Sequence, residues 1–239
     1  MKKKEQFLAF DKLKIVQDDA YFKYNLDSIL LADFVVKHYK KGNIIDLATG
    51  NIPIPLFINY RLKKQVYAVE LQQEVYNLGL ETISINNLGD QIVLINENIK
   101  NLKKHFKQNL FDVVVCNPPY FKLDSSKKIS KINSMAKARH ELELNLNDII
   151  DISKYLLNNN GSLFLIFRTE RIVELLKILS DNNLEPKVIR MVYPKDNEKS
   201  KLFLIEARLN AKDGCIIEKP LVVYNDDEYT KEIIDMFGE

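Results

Sequence analysis

At 239 residues, 46% apolar and 28% charged, the chain is long enough for one α/β domain with a proper core and too short for a large separate recognition domain. Its 35 basic and 33 acidic residues leave a net charge of +2, which excludes a global polycation, so nucleic-acid binding has to come from local patches. Two cysteines, Cys116 and Cys215, argue against a disulfide framework and suit a reducing cytoplasm; no signal core follows Met-Lys-Lys-Lys, and no stretch approaches the ~20 apolar residues of a membrane span.

In chain order, residues 17–25 are short, aromatic and polar, and they lead into an apolar helix over 27–39 for which Asp27 is a candidate N-cap. Residues 43–47 read as a short buried strand. The turn Ala48-Thr49-Gly50-Asn51 and an apolar helical run over 52–60 follow. A second strand, 65–69, ends in Glu70, and a third covers 91–95. The apolar strand 112–116 runs into Asn117-Pro118-Pro119-Tyr120, and Cys116 within it reads as a small core residue. Beyond a polar loop at 122–140 come a helix over 146–158, a break at 158–161, and a continuous apolar strand over 162–167. A helix over 170–179 precedes strands 186–193 and 202–209, which read as an antiparallel hairpin at the sheet edge. The expected architecture is therefore α/β: a seven-stranded, doubly wound Rossmann-like sheet, mostly parallel, with helices on both faces. Ligands of such sheets bind beyond the carboxyl ends of the strands, where Asp46, Glu70 and Asn117 all fall.

Those ends carry the chemistry. A Gly-containing strand-to-helix turn lets a ligand approach the backbone, and an acidic group about twenty residues further on can accept hydrogen bonds from both hydroxyls of a ribose. Asp46, Gly50 and Glu70 together suggest an adenosine-ligand site, although each alone is a common feature of strand ends. Asn117-Pro118-Pro119-Tyr120 suits methyl transfer to a planar, amide-like nitrogen, whose delocalised lone pair makes it a poor nucleophile. The Asn117 side-chain carbonyl and the Pro118 backbone carbonyl are candidate acceptors for its N–H bonds, two prolines stiffen the corner, and Tyr120 offers a stacking surface. An ordinary Pro-rich turn is the plainer alternative.

With these residues in place, the chain resembles the S-adenosylmethionine-dependent methyltransferases with an Asn-Pro-Pro-Tyr motif. More narrowly, it resembles the family that methylates N6 of the tRNA-valine adenine next to the anticodon. The likeness runs through 24–32, 46–51, 69–72, 117–121, 138–141 and 228–230. It implies S-adenosylmethionine as cofactor, with Asp46, Ala48, Thr49, Gly50 and Asn51 around its methionine part, and Tyr24 and Asp27 nearby. It further implies Glu70 and Leu71 at the ribose, Asn98 at the adenine amine where the family usually has Asp, and Asn117 facing both ligands. Ala48 and Ile52 stand where relatives commonly have glycines that permit positive φ, so Ile52 must either point away from the ligand or narrow its pocket.

For substrate RNA, the candidate contacts are Lys122, Lys127, Lys128, Lys137, Arg139 and His140 in the loop after the tetrapeptide, where Lys131 adds charge. The 1–4 and 195–201 segments are further basic patches, or simply solvated faces. Catalytic roles fall to Asn117, Pro118, Pro119 and Tyr120, with no metal site among the three histidines. The implied partner is tRNA, without membrane, as a monomer or homodimer. The expected organisation is one methyltransferase domain over 1–239: a covering segment at 1–42, a core at 43–210 and an extension at 211–239. Three alternatives stay open. Protein-glutamine methylation uses the same tetrapeptide behind a larger helical domain, and DNA adenine methylation ordinarily needs an added target-reading domain. The third is an inactive cofactor fold that binds RNA.

Overall fold

The computed structural model describes residues 3–9, 13–18, 21, 25–118 and 145–238. It opens with strands β1 (Lys3–Ala9) and β2 (Leu13–Asp18), paired antiparallel as a hairpin that the sequence reading did not assign. The remainder alternates: α1 (Leu26–His38), β3 (Ile44–Leu47), α2 (Pro53–Leu62), β4 (Val66–Glu70), α3 (Gln73–Ile85), β5 (Ile92–Asn96) and β6 (Phe111–Cys116). After the undescribed residues come α4 (Leu146–Leu156), β7 (Leu157–Arg168), α5 (Ile172–Asp181), β8 (Leu184–Tyr193) and β9 (Leu202–Leu209). The chain closes with the two-residue strands β10 (Ile216–Ile217), β11 (Leu221–Val222), β12 (Tyr224–Asn225) and β13 (Glu228–Tyr229), then α6 (Lys231–Phe237).

The doubly wound, mostly parallel sheet is present, with nine strands among the described residues rather than seven. Its order is β10-β8-β9-β7-β6-β3-β4-β5, with β11 also paired to β8. The seven expected strands form its body. The expected edge hairpin is there too, but β9 lies between β7 and β8, antiparallel to both, and β10 and β11 cover the outer side of β8. Two-residue strands leave no periodic trace in a sequence, because backbone pairing alone defines them.

Local sequence explains the element ends. Pro53 opens α2, where its missing N–H costs nothing. Asn145 and Asp148 form a reciprocal capping box at the start of α4. Asp27 is not the N-cap of α1: Asn25, with extended φ of −125°, takes that position, and Asp27 sits in the first turn, accepting from Asn25 Nδ2 at 3.1 Å. One apolar layer packs α1, α2 and α3 on one face of the sheet, and a second packs α4 and α5 on the other. The carboxyl-terminal helix is tied down by Arg190 of β8, whose guanidinium donates to both oxygens of Glu232 at 2.8 Å. Among the described residues no helix is long and apolar enough to cross a membrane.

Candidate active site

The parallel registers bring the candidate residues to one rim. Leu47 of β3 pairs with Val69 of β4 on one side and with Cys116 of β6 on the other. Ala48, Glu70 and Asn117 are therefore the next residues of three adjacent strands, about 4.8 Å apart from one strand to the next. The turn after β3 is pinned to the end of β4: Thr49 N donates to Val69 O and Gly50 N to Glu70 Oε2, both at 2.9 Å. The other Glu70 oxygen accepts from Gln72 N at 2.8 Å. Burial pushes the Glu70 pKa up, and these backbone donors partly offset that.

Within this turn Ala48, Gly50 and Ile52 all adopt left-handed backbone, with φ of 54°, 64° and 67°. The first and third are the positions where the sequence lacks expected glycines. Holding a non-glycine residue there costs of order 1–3 kcal/mol, most plainly for a β-branched one. Ile52 resolves its two alternatives by turning inward: its side chain is fully buried in the apolar layer. Gly79 of α3 makes the room, since a Cβ there would meet Ile52 Cγ2 at 3.3 Å and Leu94 Cδ2 at 2.7 Å. Burying the isoleucine contributes about 1.5–3 kcal/mol, enough to offset the strain.

Asp46 is the anomaly of the rim. It is fully buried and, among the described residues, neither carboxyl oxygen has a hydrogen-bond partner; nor does the buried Thr49 hydroxyl. Burial pushes the Asp46 pKa up to about 8 and the charge of Glu70 adds to this, while the nearby Thr49 hydroxyl draws it down without reaching hydrogen-bond geometry. Buried polar atoms in native folds are nearly always satisfied. Among the described residues, two such atoms on Asp46 in β3 and one on Thr49 in the turn fall together at this rim.

Asn117 follows β6, and its Nδ2 donates to Ser28 Oγ of α1 at 3.2 Å. Pro118 beside it is buried, as is Cys116, whose thiol pKa burial and Asp46 hold well above the ordinary value. Asp27 precedes Ser28 in α1; burial raises its pKa, partly offset by the Asn25 hydrogen bond and by the charge of Arg168 at the end of β7.

A family model described as Eco57I restriction-modification methylase matches residues 29–192, the span holding the whole described rim except Asp27 and Ser28. The chain belongs to this methylase family. Among curated proteins it is similar to the tRNA1(Val) (adenine(37)-N6)-methyltransferase of Christiangramia forsetii, 24% identical over 233 residues, covering 97% of this chain and 95% of that one. The protein of the same name from Actinobacillus pleuropneumoniae is 26% identical over 232 residues, with 95% and 94% covered. Among solved structures, a predicted O-methyltransferase from Agrobacterium tumefaciens superposes with a TM-score of 0.71 at 18% identity, over 88% of this chain and 95% of that one. Geranyl diphosphate C-methyltransferase from Streptomyces coelicolor, solved with S-adenosyl-L-homocysteine, gives a TM-score of 0.55 at 13% identity, over 75% and 78%. These structural likenesses establish a Rossmann-like methyltransferase fold for this family member.

The other candidates are dispersed. Asn51 is buried and donates its Nδ2 to Val16 O at 2.9 Å, tying the turn to β2. Asn98 caps the 3-10 turn after β5 by accepting from Lys100 N at 2.9 Å. Leu71 is exposed beside Glu70. In the basic 195–201 segment, Lys195 pairs with Asp227 at 3.0 Å and Lys201 with Glu198 at 3.3 Å, so that patch is partly neutralised. Tyr24, Pro119, Tyr120, Lys122, Lys127, Lys128, Lys131, Lys137, Arg139 and His140 lie outside the described residues.

Three rim residues escaped the sequence reading. Asn96, ending β5, donates to Glu70 O at 2.8 Å and Leu71 O at 3.1 Å and so clamps the end of β4. Arg168 announces itself only as a charge closing an apolar strand, and Ser28 as a small polar residue inside an apolar helix. A separate cleft of about 510 Å³, lined by His38, Asp112, Ser162 and Arg208 among others, opens at the amino ends of the strands, away from this rim.

Proposed function

We propose that this methylase uses S-adenosylmethionine to methylate the exocyclic N6 amine of an adenine in a tRNA anticodon loop, the adenine next to the anticodon of tRNA-valine. One observation carries the reading: the unsatisfied Asp46 and Thr49 acceptors stand one strand away from Asn117, through the Leu47–Cys116 register. The donor set fits the cofactor. Asp46 is placed to accept from a cationic amino group, and Thr49 and Gly50 to line the chain beside it. Glu70 has carboxylate lone pairs left for two ribose hydroxyls after its two backbone bonds. When bound, S-adenosylmethionine supplies an already activated methyl group, so the protein's task is alignment and hydrogen bonding.

On the acceptor side, the Asn117 side-chain carbonyl and the Pro118 backbone carbonyl accept the two N–H bonds of the target amine and return electron density to its nitrogen. The target base stacks on Tyr120. Unpaired bases of an anticodon loop lower the cost of extruding it. We read residues 43–210 as the core of a single domain, with 1–42 covering the cofactor and 211–239 as an extension. The lysines and arginine of 122–139, with His140, hold the RNA backbone.

The names of the curated relatives favour tRNA. The family model's description as a restriction-modification methylase favours a second reading, transfer to another amide-like nitrogen, which the same two acceptors would serve. Replacing Asn117 by alanine is expected to abolish methyl transfer while S-adenosylmethionine binding, followed by calorimetry, stays within about threefold. Retention of most activity contradicts the assigned role.

A further inference from the structure

We propose that Ser28 is a positioning residue that decides which end of the Asn117 amide faces the target amine. The inference rests on the functional reading above and goes beyond it, because the tetrapeptide alone does not orient its asparagine. An asparagine amide is nearly symmetric in shape, and its two ends differ only in chemistry: one accepts, the other donates. An amine about to be methylated presents N–H donors, so only the carbonyl end serves it. With the nitrogen end donated to Ser28 Oγ at 3.2 Å, the carbonyl end is held on the opposite side of the amide plane.

The surroundings of Ser28 suit this role. It lies in the first turns of α1, is buried at 4% exposure, and is followed by Ile29, Leu30 and Leu31, which are buried in the apolar layer. The helix thus fixes the hydroxyl in space while its neighbours anchor the helix. A helical serine commonly gives its own proton to a carbonyl one turn back, which leaves its lone pairs to accept. Removing the hydroxyl takes away an acceptor of Nδ2 and favours turning the amide over, which would set donor against donor.

The experiment compares wild type, Ser28→Ala and Ser28→Thr as full-length protein in single-turnover methylation of unmodified tRNA transcript, with S-adenosylmethionine affinity measured separately. Ser28→Ala is expected to lower kcat about tenfold, the worth of one hydrogen bond on a buried group. RNA KM and cofactor affinity should stay within about twofold, and Ser28→Thr, which keeps the hydroxyl, should recover most of the rate. A rate for Ser28→Ala within twofold of wild type overturns the proposal. So does a cofactor affinity that falls in step with the rate, which marks a merely structural role, or a Ser28→Thr rate as low as that of Ser28→Ala. The wild-type control separates this from the functional reading: no label in RNA, with label in DNA or protein, defeats the RNA assignment, and the three proteins are then compared on that acceptor.

Discussion

Replacing Asp46 by asparagine should make the protein more stable at neutral to alkaline pH while weakening its hold on the cofactor. In the folded chain the carboxyl is fully buried, without a hydrogen-bond partner among the described residues, and its pKa is pushed from 3.8 up to about 8. The folded state therefore keeps a proton that the unfolded chain has already released. Below about pH 3.8 the two states are equally protonated at this site. As pH rises from there towards 8, stability falls by about 1.4 kcal/mol per pH unit, on the order of 6 kcal/mol in all. Asparagine has nearly the same shape and does not titrate. Urea unfolding of both proteins at about pH 5.5 and 7.5 should give a difference that moves by about 3 kcal/mol in favour of the variant. Taking the difference removes what Glu70 and Asp27, also raised by burial, contribute to both proteins. Calorimetry should show the variant binding S-adenosylmethionine at least tenfold more weakly, because an amide cannot neutralise a cationic amino group. A stability difference that does not change with pH would refute the claim that Asp46 is held protonated at a ligand-ready site.

The strained turn makes two opposite predictions. Ala48→Gly should stabilise by about 0.5–1 kcal/mol by relieving positive φ, whereas Ile52→Gly should destabilise by about 2 kcal/mol or more, since lost core burial outweighs the relief. Denaturant midpoints decide both, and destabilisation by Ala48→Gly contradicts the strain argument. Asn96→Ala should cost about 1–2 kcal/mol and weaken S-adenosylmethionine binding several-fold through the loosened end of β4. Unchanged cofactor affinity in that variant would show that the clamp does not reach the site.

Much of this molecule is legible in its sequence for physical reasons that particular segments display. The segments 66–69 of β4, 113–116 of β6 and 163–167 of β7 are largely buried, so they appear as apolar runs that lead into Glu70, Asn117 and Arg168 at the rim. Ala48 and Ile52 were identifiable as glycine-demanding positions, and both have the positive φ that demand implies. What the residues do not announce is tertiary. The β1–β2 hairpin is held to α3 by Val16 N on Thr82 Oγ1 at 3.0 Å and by Asn86 bonding to both Lys14 N and Lys14 O. Those contacts span 66 and 72 residues, beyond any local pattern. Leu13-Lys14-Ile15 alternates as a strand should, but over too few residues to register against the polar text around it. Ser28 and Asn96 gain their meaning only from partners 89 and 26 residues away.

In the proposed reaction, the Asn117–Pro118 corner beside Asp46 holds an adenine amine of tRNA to receive the methyl group. The most direct measurement incubates the protein with methyl-labelled S-adenosylmethionine and tRNA from cells lacking it, digests the RNA, and maps the labelled nucleoside. Label is expected in N6-methyladenosine at the adenine next to the anticodon of tRNA-valine, and is expected to be lost with Asn117→Ala. Label at another nucleoside, or in DNA or protein while tRNA stays unlabelled, would contradict it.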